Sequence, residues 1–316
     1  MDGGNVRNLK TKTRLFQRFE IIKKLGDGGF GAVYEAYDCK NKIQVAIKIE
    51  VKRRNFSTVQ KEAEILKNMQ GNSHVLQYLG SGDENNYNYL LMEVASESVL
   101  NLLQRAPGNK FPLPVAAEFG YNFVEALEEV HNAGYLHRDV KPGNFVLKNA
   151  ANLPRICIID FGVAKKIENN DELENKSKIR FVGTLRYASP NVHKREPYGR
   201  HDDLLSMFYT FLEISSGELP WAGDDDEEVV AMKKWNMTPE MLIGSDDFPC
   251  VCEFAVAPIG RLSRSTRCCL RSLDDVGYDV NFCWTASQSS ELMLIFMSVL
   301  ISTDGVENMV SEITLR

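Results

Sequence analysis

Residues 135–162 constrain this chain more tightly than any other stretch. They run Tyr-Leu-His-Arg-Asp-Val-Lys-Pro-Gly-Asn-Phe-Val-Leu, then a polar turn, then Arg-Ile-Cys-Ile-Ile-Asp-Phe-Gly. Two carboxylates, Asp139 and Asp160, each follow or end a β-rich apolar segment, and the amide Asn144 stands five positions after the first. This placement is expected to bring three oxygens to one cleft edge. Such oxygens suit a hard octahedral cation such as Mg²⁺, which binds through one or two carboxylates together with substrate phosphates. The chemistry this suggests is phosphoryl transfer.

A chain of 316 residues has room for two lobes, each with its own core. A net charge of -6 argues against a general polyanion binder, so no nucleic-acid partner is expected. The basic N-terminus lacks the apolar run of a secretory signal, and Asp2 excludes N-myristoylation. The longest apolar run, residues 292–301, falls short of the roughly 20 residues a bilayer requires, so no membrane association is expected. The expected location is cytoplasmic or nuclear. Seven cysteines, an odd number, fit reduced thiols. Cys250-Val-Cys252 and Cys268-Cys269 lack the second pair that a metal site needs.

Residues 1–17 show no periodicity and read as a flexible leader. A strand pattern begins at Phe19, is broken by Gly26-Asp-Gly28-Gly29-Phe30-Gly31, and resumes as Ala-Val-Tyr-Glu-Ala-Tyr. A GxGxxG also marks dinucleotide sites, but there a helix must follow the glycines. Here a β-branched and aromatic strand follows, so the loop reads as a hairpin tip that folds over phosphates. In Val45-Ala-Ile-Lys-Ile49, Val45, Ile47 and Ile49 share one strand face, and Ala46 and Lys48 share the other. Lys48 could contact phosphate, or be a solvated edge-strand lysine.

Residues 57–70 read as a helix opened by a capping box of Ser57 and Gln60. Val59, Ala63 and Leu66 form its apolar stripe; Glu62 falls inside that stripe and Glu64 outside. An inward carboxylate is costly unless paired, since breaking a buried pair costs about 3–5 kcal/mol. Lys48 is the expected partner of Glu62. Residues 74–82 and 87–94 read as strands, with Met92, Glu93 and Val94 offering main-chain groups to a flat base. Further on, Val115, Phe119, Phe123, Leu127 and Val130 define a helix that Gly134 stops. Another helix begins at Arg200, where Asp202 or Asp203 can cap it, and ends near Gly217. The acidic run 224–228 starts a further helix, where the dipole favours it.

Taken together, Gly26-x-Gly28-x-x-Gly31, Val45-Ala-Ile-Lys48, Glu62, His137-Arg-Asp139-x-Lys141-x-x-Asn144 and Asp160-Phe-Gly162 resemble a protein kinase in order and interval. Lys141 is similar to the serine/threonine class. Gly183-Thr-Leu-Arg-Tyr-Ala-Ser-Pro-Asn191, Gly199-Arg-His-Asp-Asp203 and Leu219-Pro-Trp221 resemble the casein kinase I superfamily, nearest its tau-tubulin kinase branch. The chain departs from the pattern after Phe254, where the closing Pro-Asp-Tyr segment is missing, and at 224–228, where the superfamily is basic.

The resemblance implies an α+β bilobal fold, with a β-rich N-lobe holding one key helix over residues 18–94 and a mainly helical C-lobe over 95–254. Residues 255–316 would form a divergent C-terminal segment. It implies ATP and Mg²⁺ as cofactors and a protein bearing a Ser or Thr acceptor as partner. Gly26, Gly28, Gly29, Phe30, Gly31, Val33, Ala46, Lys48, Met92, Glu93 and Val94 would line the nucleotide. Lys48, held by Glu62, would grip the α- and β-phosphates, and Asn144 and Asp160 would hold the metal. Asp139 would orient the acceptor hydroxyl while Lys141 steadies the γ-phosphate. Arg138 could pair with a phosphate at Ser177 or Thr184. A catalytically silent scaffold on the same fold is the alternative.

Overall fold

The computed structural model describes residues 6–27, 31–52, 57–149, 154–167 and 179–236. The divergent segment, and with it the cysteines from Cys250 onward, lies outside them.

Alternation in the strands builds the first lobe. β1 (Arg14–Leu15), β2 (Phe19–Asp27), β3 (Gly31–Asp38), β4 (Ile43–Val51), β5 (Tyr78–Glu84) and β6 (Tyr87–Met92) make one antiparallel sheet in the order β1-β2-β3-β4-β6-β5. Strand β3 runs directly from the glycine loop, which excludes the strand-to-helix geometry of a dinucleotide fingerprint. Val45, Ile47 and Ile49 enter an outer cluster with Phe19, Ile21 and Tyr34, whereas Ala46 faces the main core. The period-2 reading of β4 thus separates two cores.

Residues 6–15 were expected within a flexible leader, yet they pack on the sheet. Val6 is buried, its carbonyl accepts the Tyr34 hydroxyl at 2.8 Å, and β1 pairs with β2. Helix α1 (Thr58–Asn68) buries Val59, Glu62, Ala63 and Leu66. Ser57 Oγ accepts the Gln60 N–H at 3.0 Å, but the Gln60 side chain donates to Asn88 at 3.2 Å, so only half of the capping box forms. The strand expected from His74 begins only at Tyr78. The Ser73 and His74 N–H groups donate to the Glu129 carboxylate at 2.9 and 2.8 Å, so the backbone there serves a helix rather than a ladder.

The second lobe is helical: α2 (Val99–Arg105), α3 (Leu113–Asn132), α4 (Pro190–His193), α5 (Arg200–Ser216) and α6 (Glu227–Trp235). The stripe Val115, Phe119, Phe123, Leu127 and Val130 of α3 is buried. Helix α5 is buried almost all round, and its buried polar residues, Asp202, Asp203, Ser206, Thr210, Glu213 and Ser215, are hydrogen-bonded or ion-paired inside the lobe. Between α3 and α4, β7 (Tyr135–Leu136), β8 (Phe145–Asn149), β9 (Pro154–Ile158) and β10 (Lys165–Lys166) form two short ladders, β7 with β10 and β8 with β9. The acidic run is largely consumed in structure. Asp226 caps α6 by accepting the Glu228 and Val229 N–H groups, Asp224 pairs with Lys233, and Glu227 pairs with Arg195. No described helix is long and apolar enough to cross a membrane.

Candidate active site

Lys48 stands on β4 opposite Val33 of β3 and Leu90 of β6. Its Nζ donates to Glu62 Oε2 at 2.5 Å and to Asp160 Oδ1 at 2.7 Å. The first contact is the one that helical periodicity anticipates. The second depends on the backbone: Asp160 takes the left-handed conformation (φ 68, ψ 68), which costs a non-glycine residue about 1–3 kcal/mol. Burial alone would push the Lys48 ammonium down, but Glu62 and Asp160 together hold its pKa above the ordinary lysine value. For Asp160, burial raises and Lys48 lowers, and the net result is below the usual carboxylate range. Burial raises Glu62, with Lys48 opposing.

Asp139, Lys141 and Asn144 meet in a second cluster. Lys141 Nζ donates to Asp139 Oδ2 at 2.7 Å, and Asn144 Nδ2 donates to the Asp139 carbonyl at 2.7 Å and to Oδ2 at 3.2 Å. The Thr184 hydroxyl completes it, donating to Asp139 Oδ1 at 2.6 Å and accepting from Lys141 at 3.0 Å. Thr184, singled out as a possible phosphate acceptor, is therefore built into the cluster; Ser177 lies outside the described residues. Gly183 has φ +99, and a Cβ there would stand 2.5 Å from the Arg138 carbonyl oxygen, so only glycine brings Thr184 this close. The two clusters are tied together, as the Ile159 N–H donates to the Asn144 carbonyl at 2.9 Å and the Ile159 carbonyl meets His137 Nε2 at 3.0 Å.

Asp203 anchors this assembly, a role the sequence reading missed. Its buried carboxylate accepts the main-chain N–H groups of His137 and Arg138, both at 2.8 Å, and the Tyr198 hydroxyl at 2.8 Å. His131 Nε2 lies 2.8 Å away. Burial disfavours the Asp203 charge, but these hydrogen bonds, led by His131, bring its pKa below the ordinary range. Capping α5 falls to Asp202, which accepts the Gly199 N–H at 2.7 Å and the Ser189 hydroxyl. The available signal was two adjacent acids where one cap suffices.

Of the expected nucleotide-lining residues, Gly26 pairs with Val33 across β2 and β3, and Ala46 with Met92 across β4 and β6. Gly31 is indispensable at its position, because a Cβ would fall 1.8 Å from the Ile49 carbonyl oxygen. Glu93 donates its N–H to Gln77 at 3.0 Å and pairs its carboxylate with Lys148 at 2.9 Å. Val94 packs against the main core. Gly28, Gly29 and Phe30 lie outside the described residues.

Among the described residues no group of three or more His, Cys, Asp or Glu side chains could hold a metal by itself. The donors offered, Asp160 and the amide oxygen of Asn144, fit a Mg²⁺ that keeps waters and completes its shell with phosphate oxygens.

A sequence model of the protein kinase domain matches residues 19–295. The chain belongs to the protein kinase family. The match runs past Phe254, where the motif resemblance fades. It is 34% identical over 71% of its length to a Dictyostelium discoideum protein named as a serine/threonine-protein kinase, 46% of which is covered. It is 31% identical, over 69% of its length, to a Caenorhabditis elegans protein named as casein kinase I, 66% covered. A second C. elegans protein, named as a serine/threonine-protein kinase, is 31% identical over 78% of the chain, 70% covered. The chain thus spans about half of the Dictyostelium relative and two thirds or slightly more of the nematode ones.

Proposed function

We propose that this chain transfers the γ-phosphate of ATP to a Ser or Thr hydroxyl of a protein. The observation that carries the reading is the double engagement of Lys48, which meets Glu62 and Asp160 at once and so places the ammonium beside the expected metal ligand. Phosphoryl transfer asks the protein chiefly for positioning and charge neutralisation. Lys48 grips the α- and β-phosphates, with Glu62 holding it in place. Asp160 and Asn144 would hold Mg²⁺, which would neutralise phosphate charge when bound. Asp139 orients the acceptor hydroxyl and Lys141 steadies the γ-phosphate as charge develops.

Membership of the casein kinase I superfamily is supported by Ser189-Pro190-Asn191 and by the nematode relative of that name. The tau-tubulin kinase branch rests on the motifs from Gly183 to Trp221. Seven cysteines read as reduced thiols support a cytoplasmic or nuclear setting. An ATP-coupled assay with casein and Mg²⁺ tests the activity; phosphate transfer that persists in D139N and K48A proteins would overturn the assignments.

A further inference from the structure

Helix α6 carries a buried lysine outside the site just described. Lys234 is 4% exposed, and its Nζ donates to the main-chain carbonyls of Leu185 at 2.8 Å and Ala188 at 2.7 Å. It stands 3.2 Å from His193 Nε2 and 5.2 and 5.4 Å from the ring centroids of Trp221 and Tyr209. Among the described residues no carboxylate forms an ion pair with it.

A lysine on a helix ordinarily snorkels its ammonium to water, because burying an uncompensated charge costs several kcal/mol. Burial pushes the Lys234 pKa down to about 7, as expected for a desolvated ammonium that meets carbonyl dipoles, the His193 imidazole and ring faces but no carboxylate among the described residues. The carbonyls it holds belong to the turn that begins at Thr184. The intervening Arg186 carbonyl is taken by Trp221 Nε1 at 2.7 Å, and the Arg186 guanidinium pairs with Glu213 at 2.8 Å. Residues of α5, α6 and the segment between them therefore clamp this turn from behind. At its other end, the Thr184 hydroxyl bridges Asp139 and Lys141.

We propose that Lys234 is a positioning residue for the protein acceptor: it holds the Leu185–Ala188 turn so that Thr184 and Asp139 present one fixed geometry to the incoming hydroxyl. Lys234 makes no contact with Lys48, Glu62 or Asp160, so nucleotide binding is independent of it. The inference rests on the kinase reading above and adds to it a residue that acts on one substrate only.

The test compares full-length wild type, K234M and K234R. Casein and ATP are varied separately, ATP hydrolysis is followed without acceptor, and melting is recorded. The loss of two hydrogen bonds to the turn's main-chain carbonyls predicts a casein KM raised about tenfold or more in K234M. The ATP KM and acceptor-free hydrolysis stay within about twofold of wild type. K234R, which keeps charge and donors, recovers part of the casein KM. If K234M does not fold, K234Q is judged on the same criteria. An unchanged casein KM, or a parallel fall of every parameter together with melting temperature, overturns the proposal. A wild-type chain that transfers no phosphate while remaining folded overturns the kinase reading instead.

Discussion

The buried carboxylate of Asp203 accepts the main-chain N–H of Arg138 at 2.8 Å, although the two residues lie 65 positions apart. Arg138 sits at φ 67, a conformation its own side chain disfavours, so the hydrogen bonds from α5 hold the segment from His137 to Asp139 in a strained path. Asp203→Asn leaves one acceptor oxygen where two are used and is expected to reduce stability by about 3–5 kcal/mol. The turnover number should fall by about tenfold or more, with ATP affinity nearly unchanged. Urea unfolding and steady-state kinetics check this; a variant as stable as wild type would show that Asp203 is dispensable.

The pairing of Lys48 with both Glu62 and Asp160 predicts graded losses. Lys48→Met removes the cation altogether and should lower kcat/KM for ATP by at least about a hundredfold. Glu62→Gln keeps a hydrogen-bond acceptor and loses only charge, and Asp160 still holds the ammonium. Its loss should be nearer tenfold, the equivalent of about 1.4 kcal/mol. Equal losses in the two variants would mean that Glu62 does more than hold Lys48.

Thr184 separates a structural hydroxyl from a regulatory one. Thr184→Val deletes the bridge between Asp139 and Lys141 and should reduce kcat/KM for casein by about 10–100-fold, one to two hydrogen bonds' worth. Thr184→Ser should stay close to wild type. Mass spectrometry of the active protein should find Thr184 without phosphate, and stoichiometric phosphate there would contradict the geometry.

His193 predicts a pH dependence of stability. Its side chain is buried with Nε2 3.2 Å from Lys234 and Nδ1 3.6 Å from Glu227. Burial, and then the Lys234 charge, lower its pKa to about 4 despite Glu227. An unfolded histidine titrates near 6.5, so between about 6.5 and 4 the unfolded chain binds more protons than the folded one. The contribution is full above about pH 6.5 and is lost as pH falls towards 4, by at most about 3 kcal/mol. His193→Gln should flatten the melting-temperature profile across that window. Parallel profiles for the two proteins would remove His193 as the cause.

Much of the fold was legible wherever a local period decided the outcome. Period 2 in β4 told which face of the strand carries Lys48, and period 3.6 in α1 told that Glu62 rather than Glu64 points inward. The α3 stripe follows from the same rule, and the end of α5 from Gly217, which takes the left-handed conformation (φ 96) that closes the helix. Residues 6–15 were not legible, because their ordering comes from Tyr34 and from pairing with β2 rather than from any pattern of their own. The late start of β5 was hidden for a similar reason, since Glu129, on a helix distant in sequence, takes the backbone donors of residues 73 and 74.

The amino-acid sequence by itself determined the chemistry available to this protein: which carboxylates, amide and lysines exist, their spacing, and which side of each element they occupy. Tertiary structure alone decided which of two adjacent acids, Asp202 or Asp203, would cap a helix and which would hold the catalytic backbone. It also decided that Thr184 would meet Asp139, and that a lysine of α6 would lie buried beneath the same turn. The physical reason is that buried backbone donors and acceptors must find partners wherever the fold brings polar groups to them, and those partners lie too far along the chain for any local period to announce.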